Sequence, residues 1–178
     1  MDWESTLQYG IPAVCSALVM HYMTRLTQKE IPRQADGSLT LRMNRLYQVL
    51  GYIALGIGVV VLVASFGAKE EGKEIEILMA QLVILLLFGG GGIYLIMGYS
   101  NTWLSFNEDH IRSSTWMGEI KEIHWKDIEQ IRYKSLSGYL VIKGKNEKLK
   151  AFRYLVGFQA FINEMEEQTK WTREELEL

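Results

Sequence analysis

Hydrophobic and polar positions divide the chain near Tyr99. Before that point apolar residues run in long blocks; after it they alternate with polar ones. The blocks Leu46–Gly67 and Leu78–Tyr99 contain no charged residue and are joined by the charged connection Ala68–Ile77. A helix needs roughly 20 such residues to cross about 30 Å of hydrocarbon. Helices are expected rather than strands, because lipid forces backbone groups to pair within a segment. A shorter apolar run, Leu7–Met23, has Gln8 and His21 near its ends and Pro12 in its first turns. Proline fits there because the first helical N–H groups lack intrahelical partners. The pattern predicts three transmembrane helices over about 7–23, 46–67 and 78–99.

Charge sets an expected orientation. The connection Thr24–Arg45 carries Arg25, Lys29, Arg33, Arg42 and Arg45 against Glu30 and Asp36. The connection between the two longer blocks has Lys69 and Lys73 against Glu70, Glu71, Glu74 and Glu76. Short loops rich in Lys and Arg stay in the cytoplasm. The N-terminus is therefore expected outside and the C-terminus inside a plasma membrane. Met1-Asp-Trp-Glu4 lacks the basic start of a secretory signal, so the first apolar run reads as retained.

The crossings are rich in small residues, with Gly51 and Gly58 in the second and Gly89, Gly90, Gly91 and Gly92 in the third. Small residues let helix backbones approach closely. Four successive glycines also weaken a helix by about 1 kcal/mol each, so a hinge or an opening for a ligand is the other reading. Gln48 and Gln81 lie near helix ends, where water can satisfy them. No Asp, Glu, Lys or Arg lies within the crossings, which argues against an ion-coupled pump.

After Tyr99 the period becomes two. Strands are predicted at about Thr102–Phe106, His110–Trp116, Glu119–His124, Ile128–Lys134, Tyr139–Lys143 and Lys148–Arg153, separated by turn residues. Leu155–Lys170 returns to a helical pattern, with Phe158, Phe161, Ile162 and Met165 on one face. An acidic, frayed tail is expected from Trp171. In the cytoplasmic loop, Leu39–Met43 alternates behind the turn Asp36–Gly37, as a short strand or an extended lead-in to the next helix. The expected fold is thus membrane α-helical plus α+β, with a small antiparallel sheet or partly open barrel closed by the C-terminal amphipathic helix. The expected division is 1–100 transmembrane, 101–170 cytoplasmic domain and 171–178 tail.

The segments Leu104-Ser-Phe-Asn-Glu-Asp-His-Ile111, Gly118-Glu-Ile-Lys-Glu-Ile-His-Trp125 and Lys126-Asp-Ile-Glu-Gln-Ile131, followed by two strands and a helix, carry a family pattern. It resembles the bacterial pleckstrin-homology-like domains that accompany transmembrane helices in small membrane proteins. The match spans about Thr102–Lys170 and consists of core and turn positions. Ile120, Ile123, Trp125, Ile128 and Ile131 would be core, and Asp127 would turn the chain. Such a fold usually has seven strands, and six follow Tyr99. Either Leu39–Met43 supplies another or the sheet is shorter. The resemblance implies a binding or scaffolding role and brings no catalytic residues.

Composition narrows the chemistry further. A formal net charge of -2 gives no case for nucleic acid. Cys15, the only cysteine, excludes an intrachain disulfide and sits among apolar residues. Between Arg132 and Arg153, the residues Arg132, Lys134, Lys143, Lys145, Lys148, Lys150 and Arg153 face one acid, Glu147. Near a membrane such a hairpin would meet anionic phospholipid head groups; otherwise it is a solvated strand edge kept from mispairing by lysine. His110 and His124, with Asp109 and Glu122, lack metal-ligand spacing, and no nucleophile elbow or P-loop occurs. No catalytic residue, metal site or cofactor is expected. Tyr139 and Phe152 could form an aromatic contact surface, although core packing is the simpler reading. The leading expectation is a non-enzymatic integral membrane protein whose cytoplasmic domain binds a protein partner or the anionic inner leaflet, in a scaffold, regulatory or immunity-type role. The alternative is a subunit of a transport or channel complex that uses the glycine-rich third helix.

Overall fold

A computed structural model of the chain describes residues 14, 17, 21, 22, 24–66 and 74–176. Among them, two helices are long and apolar enough to cross a membrane, Arg45–Ser65 and Ile75–Asn101. The third expected crossing, Leu7–Met23, lies largely outside the described residues, as does most of the connection Ala68–Ile77. Only 11% and 6% of the most apolar stretches of the two helices is buried, unlike the core helices of a water-soluble fold.

Helix α1 spans Arg45–Phe66, and its start is set by Asn44, whose side-chain oxygen accepts from the Leu46 N–H at 3.0 Å. The second apolar helix consists of α2 (Glu74–Ile84), a π-helical turn (Leu85–Gly90) and α3 (Gly91–Asn101). The glycine run does not break it. Gly90 and Gly91 keep ordinary helical angles, with φ near -62°. The glycines differ sharply in surroundings. A Cβ on Gly51 would meet the Gly92 carbonyl at 2.9 Å, and one on Gly92 would meet the Gly51 carbonyl at 2.9 Å and Leu55 Cγ at 2.8 Å. A Cβ on Gly58 would lie 3.0 Å from Phe88 Cβ, whereas Gly89 neighbours only Leu85 and Gly90 and Gly91 face open space. The two helices therefore touch backbone to backbone at Gly51 and Gly92. Gln81 donates to the Ser65 hydroxyl at 2.9 Å and Ser65 to the Leu62 carbonyl at 2.7 Å, so this glutamine is satisfied by protein and does not depend on water.

The remaining elements are α+β. Strand β1 (Leu39–Arg42) precedes α1 and pairs with β2 (Trp103–Phe106), which follows α3. Strands β3 (His110–Ser114) and β4 (Ile120–His124) complete a four-stranded antiparallel sheet in the order β1-β2-β3-β4. A second antiparallel sheet holds β5 (Ile128–Lys134), β6 (Tyr139–Gly144) and β7 (Lys148–Phe152). The sheets do not close into a barrel. Leu39–Met43 is thus a strand rather than a lead-in, and the loop expected to belong with the membrane region contributes to the sheet. The Thr40 hydroxyl donates to Ser105 Oγ at 3.0 Å across this pairing.

By contact the described residues form two compact units, one of those up to 41 with 104–113 and 121–176, the other of 42–66, 74–103 and 114–120. The first has its core in Leu41, Leu104, Phe106, Ile111, Leu140, Ile142 and Leu149, closed by Phe161 and Met165 of α4 (Phe158–Gln168). Trp125 stacks on Phe161 at 5.9 Å and donates its indole N–H to the Asn107 carbonyl at 2.7 Å. Of the five residues the resemblance placed in the core, Ile123, Trp125 and Ile131 are buried, Ile128 is half-buried and Ile120 is exposed. Helix α4 begins at Gly157, whose φ of +78° favours glycine and where a Cβ would collide with Ile31. The tail is not frayed over residues 171–176. Arg173 donates to Glu166 at 2.8 Å from its backbone and 3.2 Å from its guanidinium, and Leu176 is buried.

Gly92→Leu is expected to weaken the helix pair by about 2 kcal/mol, since overpacking a tight contact costs about 1–3 kcal/mol. Gly90→Leu should leave the pair unchanged or slightly stabilised, because it adds helix propensity in open space. Reversible unfolding of the full-length protein in mixed SDS micelles reads both.

Candidate functional site

The second sheet has one face that packs inward and one that does not. Ladder pairing aligns its outer positions in three rows: Gln130–Lys143–Lys148, Arg132–Val141–Lys150 and Lys134–Tyr139–Phe152. Residues two apart share a face, so Leu140, Ile142, Leu149 and Ala151 point into the core. Five of the nine outer positions are cationic, all five are exposed, and among the described residues none has a carboxylate partner. Lys143 stands directly opposite Lys148. Like charges facing across a ladder destabilise a sheet, so this pairing costs stability.

The other two basic residues of the hairpin are elsewhere. Lys145, in the β6–β7 turn, holds Asp127 at 3.1 Å. That hydrogen bond keeps the Asp127 carboxyl below its ordinary range. Arg153 falls on the opposite parity, with its guanidinium 2.9 Å from the Tyr133 hydroxyl and 5.6 Å from that ring's centre. Glu147, the expected acid of the hairpin, accepts from the Glu122 N–H at 3.3 Å. Arg132 has only the amide of Gln130 beside it, at 3.0 and 3.1 Å. The structure therefore brings together Arg132, Lys134, Lys143, Lys148 and Lys150, and sets Lys145 and Arg153 apart.

Tyr139 and Phe152, expected in the core, lie half-buried on this outer face with ring centres 5.0 Å apart. They form a small aromatic strip beside the cations, while Val141 in the middle row is buried. The signal was present in the sequence, because Tyr139, Val141 and Lys143 share one parity. The basic residues lie spread across three rows of this face, so it suits an extended charged surface more than a small molecule.

The outer face of the first sheet is polar in a different way. Arg112 donates to Glu122 at 2.7 Å, His110 stands 4.0 Å from Glu122, and the rings of His110 and His124 are 6.0 Å apart. Among the described residues no group of three or more His, Cys, Asp or Glu side chains is placed to hold a metal ion. A cavity of about 330 Å³ beside it is lined by Glu122, His124, Asp127, Lys145 and Glu147, of which Lys145 pairs with Asp127, Glu122 with Arg112, and Glu147 with the Glu122 N–H.

No family model matches the chain, and no curated protein or solved structure matches it.

The Arg112 hydrogen bond holds the Glu122 carboxyl below its ordinary value of 4.5. A carboxyl lowered by folding adds stability above its unfolded pKa and loses it as pH falls through the folded pKa. Glu122→Gln should therefore lower the unfolding temperature at pH 7, with the gap from the parent closing as pH falls below about 4.5. Solvent screening of this half-exposed pair limits the effect to about 0.5 kcal/mol. Thermal unfolding in detergent, followed by near-UV circular dichroism across pH, measures it.

Proposed function

We propose that this is a non-enzymatic membrane-anchored binding module, with a pleckstrin-homology-like domain whose basic sheet face binds the anionic inner leaflet of the plasma membrane. The face itself carries the reading: five exposed cations without carboxylate partners, two of them opposed at a cost, beside an apolar strip. Such an arrangement is stable in use when anions cover it. Each cation near an anionic leaflet contributes about 1 kcal/mol, and tethering keeps the face at high local concentration.

The domain reading is supported by seven strands among the described residues, four in one sheet and three in the other, followed by an amphipathic C-terminal helix. In that reading the helical hairpin is an insertion between the first and second strands. A hairpin with two crossings returns the chain to the side it left, as the pairing of β1 with β2 requires. Arg42 and Arg45 at this end, against Glu74 and Glu76 toward the other, favour a cytoplasmic side for β1, β2 and the domain by the positive-inside tendency. The continuous helix through Gly89–Gly92, with two of those glycines facing open space, favours anchoring over a transport hinge.

Full-length protein reconstituted in phosphatidylglycerol-rich or purely zwitterionic liposomes, then acylated with a water-soluble amine reagent, tests the reading. Lys143, Lys148 and Lys150 should react more slowly in the anionic liposomes, read by peptide mass spectrometry, and the difference should vanish at high salt. Equal rates in the two lipids would reject leaflet binding and leave the face to an acidic protein.

A further inference from the structure

The turn between β3 and β4 carries apolar side chains where hairpins ordinarily carry polar ones. Residues 114–120 group with the helices, in the same compact unit as 42–103. The turn is tight: the Thr115 N–H donates to the Glu119 carbonyl at 3.0 Å, the Gly118 N–H to the Thr115 carbonyl at 2.8 Å, and Gly118 has a φ of +83°. Its outward residues are Trp116, Met117 and Ile120, which are 40%, 71% and 63% exposed. Three large apolar side chains on one turn are a patch that water disfavours.

Two contacts fix this turn against α3. The Trp116 ring lies 5.5 Å from the Tyr94 ring, and the Asn101 amide donates to the Trp116 carbonyl at 2.8 Å. Tyr94 and Asn101 are seven residues apart, about 10 Å along the helix, so the turn runs beside the last two turns of α3. Tyr52 on α1 is exposed near the same level, which the Gly51–Gly92 contact holds in register. Tyr52, Tyr94 and Trp116 thus ring one end of the helix pair, where the apolar spans give way to Arg42, Arg45 and Asn101. Aromatic residues with a polar tip collect at the level of lipid head groups.

We infer that the Trp116–Met117 turn is an interfacial wedge, seated at the boundary of head groups and acyl chains in the leaflet where α1 begins and α3 ends. The inference rests on the reading of both helices as spanning. Apolar side chains of surface-bound segments reach about 5–10 Å into that boundary, and the turn lies within about 10 Å of the helix end. Bilayer lipid is the occupant because the patch is continuous with the exposed apolar faces of the helices at Tyr94 and Ile93. Gly118 and Glu119 form the polar side of the turn, facing the aqueous edge of the head groups. The wedge gives the chain a membrane contact made by the β3–β4 hairpin in addition to the helices.

The test uses full-length protein in liposomes with Cys15→Ser as background and an environment-sensitive fluorophore at Met117→Cys. Labels at Leu86→Cys, on the exposed face of the second helix, and at Leu136→Cys, on the fully exposed β5–β6 turn, serve as references. At Met117 the expected result is blue-shifted emission, strong quenching by a nitroxide placed shallow in the lipid, and loss of quenching by aqueous iodide. Leu86 should respond to a deep nitroxide and Leu136 to iodide alone. A Met117 label quenched by iodide like Leu136, with Leu86 still quenched from within the lipid, overturns the wedge and spares the spanning helices. A Leu86 label untouched by lipid nitroxides overturns both. Ile120→Cys repeats the measurement should Met117→Cys fold poorly.

Discussion

A strand that enters a helical hairpin can pair with the strand that leaves it only if the hairpin brings the chain back. The pairing of β1 with β2 is that constraint, and the rest of the architecture depends on it. It joins residues about sixty positions apart, with Thr40 bonded to Ser105. Closing so long a loop as flexible chain would carry a substantial entropy cost. The helices remove most of that cost by returning the chain as rigid rods, held at Gly51 and Gly92 by direct backbone approach. Stability of the small sheet and geometry of the hairpin are therefore coupled.

The hairpin itself illustrates how little a glycine count says about glycine use. If the pair spans a bilayer, as proposed, no hydrophobic drive acts between the helices and association rests on close packing and a few polar contacts. Gly51 and Gly92 supply the first, Gln81 with Ser65 the second. Gly90 and Gly91 support neither. A π-helical turn lies immediately before them, over Leu85–Gly90, and shifts the phase of the helix face. That shift decides which glycine of the run meets α1.

Much of this was legible in the sequence. Strand positions after Tyr99 followed from period-two alternation, and each predicted strand overlaps an observed one. The C-terminal helix was legible from its apolar stripe, although its ends, as usual, were not. The strand β1 was not decidable, because the four residues Leu39–Arg42 fit a strand or a lead-in until their distant partner is known. Parity would have separated Arg153 from the other basic residues and put Tyr139 on their face. The engagement of Lys145 by Asp127 was beyond reach, since it joins residues eighteen apart across two strands and the turn between them. The tail was read as frayed from its acidity, yet Arg173 docks it on Glu166 one helix back. Alternation ran the third strand on to Trp116, but the strand ends at Ser114. Trp116 lies in the turn against Tyr94, a contact between different kinds of element that periodicity does not show.

On the proposed reading, the chemistry of the basic face also limits what it would recognise. Four of its five cations are lysines, compact hydrated charges without the planar fork that arginine offers to one phosphate. They are spread over the three rows of a sheet surface, not around a concavity. A face of this kind sums attraction over many anions and holds no single one in a fixed pose. Opposing Lys143 to Lys148 costs a few tenths of a kcal/mol, less than the roughly 1 kcal/mol each gains beside an anionic surface. Salt screens that gain within about 10 Å, so the benefit exists only in near contact. In that reading the half-buried Tyr139 and Phe152 would supply what charge alone lacks, an apolar contact that salt does not weaken. A diffuse anionic layer satisfies both halves of the face at once, which a lone soluble phosphate does not.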